Sequence, residues 1–154
     1  MKQVKKSVLL WYTPREMYEL VTAVERYPEF LPWCNKVEVL AREGDAVIAR
    51  LHLAYAGVRY AFTTRNRNDE AGLRVHMALV DGPFSHLDGL WQFRPLNKPG
   101  TQGDEPSACK IGFELNYAFS SGALEAVVSP VFDRIANTFV DSFVQRAESL
   151  YGAR

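Results

Sequence analysis

The chain has 154 residues, of which 47% are apolar and 23% charged. This is the material of one ordinary globular domain, and it excludes a disordered, collagen-like or membrane-bundle chain. Net charge is zero, yet residues 46–76 carry Arg50, Arg59, Arg65, Arg67 and Arg74 against Asp69 and Glu70, and residues 1–12 carry Lys2, Lys5 and Lys6, so a neutral total hides a basic face.

Residues 3–12 alternate, with Val4, Lys6, Val8, Leu10 and Tyr12 on one side, which predicts a strand. Thr13-Pro14-Arg15-Glu16 then offers an N-cap, a proline at the first helical position and an acid in the first turn. Met17, Leu20, Val21 and Val24 follow at helical spacing. Tyr27-Pro28 is expected to stop this helix, and residues 28–32 leave room only for a short helical turn or loop. From Lys36 the period returns to two, and Glu43-Gly44-Asp45 turns one strand into the next.

Four strands follow as a meander. Val47, Ala49, Leu51, Leu53 and Tyr55 alternate with Ile48, Arg50, His52 and Ala54. Val58, Tyr60, Phe62 and Thr64 alternate with Arg59, Ala61, Thr63 and Arg65. After a turn at 69–72, Val75, Met77 and Leu79 oppose Arg74, His76 and Ala78. After Asp81-Gly82-Pro83, Leu87, Gly89, Trp91 and Phe93 share one side. The glycines and prolines of 97–107 mark a mobile loop. Beyond it Cys109, Ile111, Phe113, Leu115, Tyr117 and Phe119 alternate with Lys110, Gly112, Glu114 and Asn116. One buried and one wet face favour antiparallel pairing. In the last segment Val128, Val131, Phe132, Ile135, Phe139, Val140, Phe143, Ala147 and Leu150 recur every three or four residues, an amphipathic helix. Either Ser129 caps it, or it begins near Ser121 with Pro130 inside it.

One helix covers a seven-stranded sheet only if the sheet curves around it. Helix and concave sheet do not match in shape, so a space between them is expected. Its lining would come from Tyr55, Tyr60, Phe62, Val75, Met77, Trp91, Phe93, Phe113, Tyr117, Phe139 and Phe143. The same alternation also describes a plain packed core. The segment around Tyr27, Phe30, Leu31, Pro32 and Trp33 is either a rigid connector or a greasy lid at the mouth of the space.

The run Val24-Glu25-Arg26-Tyr27-Pro28-Glu29-Phe30-Leu31-Pro32-Trp33-Cys34, the block Gly82-Pro83-Phe84 with Leu87, Gly89, Trp91 and Phe93, and the stretch from Pro130-Val131-Phe132 to Tyr151-Gly152 together resemble the coenzyme Q-binding, START-like family. That family also includes proteins labelled ribosome-association toxins and oligoketide cyclase or lipid-transport proteins. The resemblance covers nearly the whole chain. It implies an α+β helix-grip fold in a single domain, 1–154: a curved antiparallel seven-stranded sheet around a long C-terminal helix, with a small helical segment after the first strand. It also favours the cavity over plain core.

Little in the sequence points to catalysis. There is no phosphate loop, no Gly-x-Ser-x-Gly elbow and no Cys-x-x-Cys. His52, His76 and His86 are scattered, and Ser85-His86-Leu87-Asp88 are too close in sequence to face one another. No metal site is expected, and Cys34 and Cys109 read as buried thiols. The arginine face suits phosphates of anionic lipid or of ribosomal RNA. The resemblance therefore implies a non-enzymatic carrier or chaperone for ubiquinone or another isoprenoid lipid, with no cofactor required and no DNA partner. Such a protein would be cytoplasmic, touching the inner membrane face peripherally. The alternative is a ribosome-association toxin that binds a ribosomal subunit and blocks subunit joining. A polyketide cyclase is third.

Overall fold

The computed structural model describes residues 1–96 and 107–154. The elements run β1 (Lys2–Leu10), α1 (Pro14–Thr22), a 3-10 helix (Val24–Glu29), β2 (Cys34–Glu43), β3 (Ala46–Tyr55), β4 (Val58–Asp69), β5 (Arg74–Asp81), β6 (Phe84–Leu96), β7 (Ala108–Phe119) and α2 (Gly122–Tyr151). The loop expected at 97–107 lies, Ser107 apart, outside the described residues. All seven strands join one antiparallel sheet in the order β1-β7-β6-β5-β4-β3-β2. Sequence neighbours pair directly except for β1, which crosses to the far edge and pairs with β7.

Local chemistry explains the element ends. Thr13 Oγ1 accepts from the Glu16 amide at 3.1 Å while Glu16 Oε1 accepts from the Thr13 amide at 2.9 Å, a capping box. α1 stops at Thr22, earlier than expected, and the chain tightens into the 3-10 helix that contains Val24 and Pro28. β3 and β4 are joined by Ala56-Gly57, with φ of 51° and 80°. Two positive φ values make a type I′ turn, which matches the twist of the flanking strands. α2 begins at Gly122, where Ser121 Oγ accepts from the Leu124 amide at 3.1 Å, and Pro130 lies inside it. This decides between the two starts left open by the sequence.

Register shifts in β2, between β3's partner β4 and β5, and at the start of β6 insert bulges that bend the strands. The curved inner face carries Leu51, Phe62, Val75, Trp91, Phe113 and Tyr117, all buried. α2 lies against it through Phe132, Phe139 and Phe143. Phe132 meets Tyr117 at 4.9 Å between ring centroids, Phe139 meets Phe113 at 5.6 Å and Phe143 meets Trp91 at 5.3 Å. Full burial of each such side chain contributes about 1.5–3 kcal/mol. Among the described residues no helix is long and apolar enough to cross a membrane.

Candidate functional site

A space of about 50 Å3 lies between α2 and the sheet. The sheet supplies Leu51, Phe62, Thr64, Asn66, Met77, Leu87, Phe113 and Leu115. α2 supplies Phe132, Ile135, Ala136 and Phe139, and Tyr27 and Trp33 close one end. The wall is apolar except for Thr64 and Asn66, which are 4% and 5% exposed. Thr64 Oγ1 donates to Asn66 Oδ1 at 2.9 Å. Gly89 makes room on the sheet side: a Cβ there would lie 2.6 Å from the end of Met77.

Of the residues expected to line the cavity, Phe62, Met77, Phe113 and Phe139 do so. Val75, Trp91, Phe93, Tyr117 and Phe143 are buried but stand behind that lining, in packed core. Tyr55 and Tyr60 are only half-buried. They sit beside the Ala56-Gly57 turn and pack against the core without joining the lining. Thr64 and Asn66 share the inward register of Phe62. The alternation put Thr64 on the side of Phe62, and carried one step further it reaches Asn66, but neither was named as lining.

The segment read as either a rigid connector or a lid at the mouth is mostly folded inward. Tyr27, Leu31 and Trp33 are 3%, 1% and 5% exposed. The Tyr27 hydroxyl donates to the Val21 carbonyl, and burial pushes its pKa well above the ordinary tyrosine range. Phe30 is half-buried against Phe143, with the Arg146 guanidinium 5.1 Å from its ring centroid. Arg146 also donates to Glu29 Oε1 at 2.7 Å. Pro32 is exposed. A short segment with this many rings buries them against α2, so it plugs the cavity rather than rimming it.

Beside the cavity, Asp133 ties three elements together. Its Oδ2 accepts from Lys2 Nζ at 2.6 Å and from Ser129 Oγ at 3.0 Å, and its Oδ1 accepts from Tyr117 Oη at 2.7 Å. Burial works to raise the Asp133 pKa, but the bonds from Lys2, Tyr117 and Ser129 outweigh it and hold the carboxyl below its ordinary range.

The outer face carries Arg59, Arg65, Arg67 and Arg74 exposed and Arg50 partly exposed. Register spreads them out. Arg67 stands opposite His76 and Arg65 opposite Ala78, whereas Arg59 pairs with Ala54 at the other end of β4. Eight residues at about 3.3 Å each put Arg59 about 26 Å from Arg67 along the strand. Acids from neighbouring strands interleave. Glu43 lies 3.7 Å from Arg65, Glu38 2.6 Å from His52 and Asp88 2.7 Å from His76. The bond from His52 holds Glu38 below the ordinary carboxylate range. Arg59, Arg67 and Arg74 have no ion pair among the described residues. Asp88 thus pairs with His76 rather than with His86. Among the described residues no group of three or more His, Cys, Asp or Glu is placed to hold a metal ion.

A family model described as polyketide cyclase / dehydrase and lipid transport matches residues 10–144. The chain belongs to this family. The ribosome association toxin RatA of Pseudomonas aeruginosa is 40% identical to this chain over 149 residues, covering 97% of each. A mitochondrial coenzyme Q-binding protein COQ10 homolog B of Xenopus laevis is 27% identical, covering 97% of this chain and 59% of that one. An 18 kDa protein from Caulobacter crescentus superposes with a TM-score of 0.73 at 30% identity, over 99% of this chain and 100% of that one. The Zhui aromatase/cyclase from Streptomyces also reaches 0.73, at 19% identity over 96% and 93%, a likeness of fold. START superfamily proteins are among the structural neighbours, and the helix-grip architecture is common ground.

Proposed function

We propose that this protein is a non-enzymatic carrier or chaperone that holds a hydrophobic ligand of the isoprenoid quinone class between α2 and the sheet. The observation that carries the proposal is the apolar enclosure with one polar pair in its wall, the form of a site for an apolar molecule with a polar head. The name of the Xenopus relative supports the quinone class. At about 50 Å3 the space is smaller than the roughly 150 Å3 that admits benzene in an engineered cavity. A quinone ring therefore enters only after a side chain moves. We assign that movement to Phe139: it lines the space and is half-buried on α2, and swinging its ring away from Trp33 and Phe113 leaves the helix backbone intact. Delivery would take place at an anionic membrane face, drawn by Arg59, Arg67 and Arg74.

The test is organic-solvent extraction of protein purified from a quinone-producing bacterium, followed by mass spectrometry. A prenylated quinone present in proportion to protein, and depleted in a Phe113→Asp variant that still folds, is the expected result. Extracts free of quinone and other lipid overturn the proposal.

A second reading is favoured by a specific observation: relatives at 35% and 40% identity over nearly their whole length carry the name of a ribosome association toxin. On that reading the unpaired arginines meet ribosomal RNA phosphates. Changing Arg59, Arg67 and Arg74 to Glu should leave the fold nearly unchanged, at under about 0.5 kcal/mol each. Wild type that sediments with a ribosomal subunit in a salt-sensitive way, while the triple variant does not, makes this the first reading. Salt-sensitive pelleting with anionic vesicles and none with ribosomes retains the carrier.

A further inference from the structure

We infer that Asn66 is the specificity-determining residue of the cavity and that it selects apolar molecules bearing a carbonyl oxygen; this rests on the cavity being the ligand site. Asn66 is 5% exposed, lines the space and stands in the inward register of β4, opposite Val47 on β3 and Met77 on β5. A buried primary amide is costly unless its donors and acceptor are matched. Here the match is one-sided. The Thr64 hydroxyl donates to Oδ1, which leaves Nδ2 as the other end of the amide. The Nδ2 group donates to nothing among the described residues, and the rest of the lining is aliphatic and aromatic.

The wall therefore presents a held, unmatched N–H donor inside an apolar enclosure. A carbonyl oxygen accepts that bond and brings no donor of its own. A plain hydrocarbon of the same shape leaves the amide unmatched and gains nothing from it. Quinones, ketones and esters share the required chemistry. Thr64 is a positioning residue: without its hydroxyl, Oδ1 loses its donor and the amide is free to turn its oxygen toward the ligand, where it repels a carbonyl.

The experiment is a pair of titrations followed by tryptophan fluorescence and calorimetry, with duroquinone and durene. They share one ring and four methyl groups and differ in two carbonyl oxygens, and all ring positions that react with thiols are blocked. Wild type, Asn66→Leu and Thr64→Val are compared, each also in the Phe139→Ala background that enlarges the space. The expected result is a duroquinone-to-durene affinity ratio that falls about fivefold to tenfold in Asn66→Leu and by a smaller factor in Thr64→Val. Durene affinity should be unchanged or improved. In wild type the isotope-labelled side-chain amide signal of Asn66 should move with duroquinone and stay with durene. If both probes bind and the ratio is the same in all variants, Asn66 does not select and the inference is overturned while the cavity reading stands. If neither probe binds even with Phe139 truncated, the cavity reading falls and takes the inference with it. Asn66→Leu removes a half-matched amide but also strands the buried Thr64 hydroxyl, so its folding is checked by circular dichroism before titration. If it fails to fold, Thr64→Val and the amide signal carry the decision.

Discussion

Replacing Asp133 by Ala should cost about 2–3 kcal/mol of stability, and most of that cost should come from a hydroxyl rather than from an ion pair. Lys2 and Asp133 are 38% and 36% exposed at their side chains, so water screens the pair and its own contribution is under about 1 kcal/mol. Tyr117, by contrast, is 1% exposed and gives its hydroxyl proton to Asp133 Oδ1. Burial first, and the Asp133 bond second, push its pKa up, so it stays a donor at any ordinary pH. Removing the carboxylate strands that donor, at about 1–3 kcal/mol. Urea unfolding of the single variants and of Asp133→Ala/Tyr117→Phe closes a double-mutant cycle. In the Tyr117→Phe background the Asp133 substitution should cost only about 1 kcal/mol. The pH dependence has a fixed sign. The folded-state carboxyl lies below its ordinary value of 3.8, so its contribution is full above that value and fades as pH falls through the lower, folded one. The gap between wild type and Asp133→Asn should therefore be narrower at about pH 3 than at about pH 7. An equal cost of Asp133→Ala with and without the Tyr117 hydroxyl would refute the reasoning.

Other outcomes can be checked on the same preparations. Phe139→Ala should lose about 2–3 kcal/mol, less than the roughly 3–5 kcal/mol of a fully packed phenylalanine because the ring is only half-buried, and should take up xenon or benzene; a cost near zero would mean the ring does not pack. Gly89→Ala should change stability little, since the end of the flexible Met77 side chain can give way, but it should shrink the cavity and weaken ligand uptake measured by fluorescence titration. Burial pushes the Cys34 thiol up to about 11 and the Cys109 thiol up to about 12, so iodoacetamide at about pH 8 should label them only at the rate of unfolding; rapid labelling of the native protein would contradict their burial.

Strand parity, the capping box of α1 and the turns at 44–45, 57 and 82–83 were legible because each is written in a few adjacent residues. The extent of α1 was not: Val24 continues the helical spacing, but the chain is pulled into a 3-10 helix that buries Tyr27 on α2. Parity says which face a residue occupies and nothing about how far along the sheet it lies. That is why Tyr55 and Tyr60 were placed in a cavity whose lining they do not join, and why five arginines looked like a cluster when register separates Arg59 from the rest. The acids that dilute the face, Glu38, Glu43 and Asp88, come from strands whose neighbours only pairing reveals. Asn66 was missed for the opposite reason: it lies one step beyond Thr64 in the inward register, and its chemistry pointed outward.

The pairing of β1 with β7 puts Lys2 beside Tyr117 and Leu10 beside Cys109. A ribosome adding roughly 5–20 residues per second needs on the order of ten seconds after making β1 before β7 can receive it. For that interval the first strand is a partnerless ribbon, and the sheet grows from its other side. Lys2, Lys5 and Lys6 put three positive charges on a nine-residue strand, which discourages two nascent copies from pairing with each other. Closure by so distant a contact is slow. β1 can therefore close on β7 only after most of the sheet has been made, and its Lys2 then reaches Asp133 on α2.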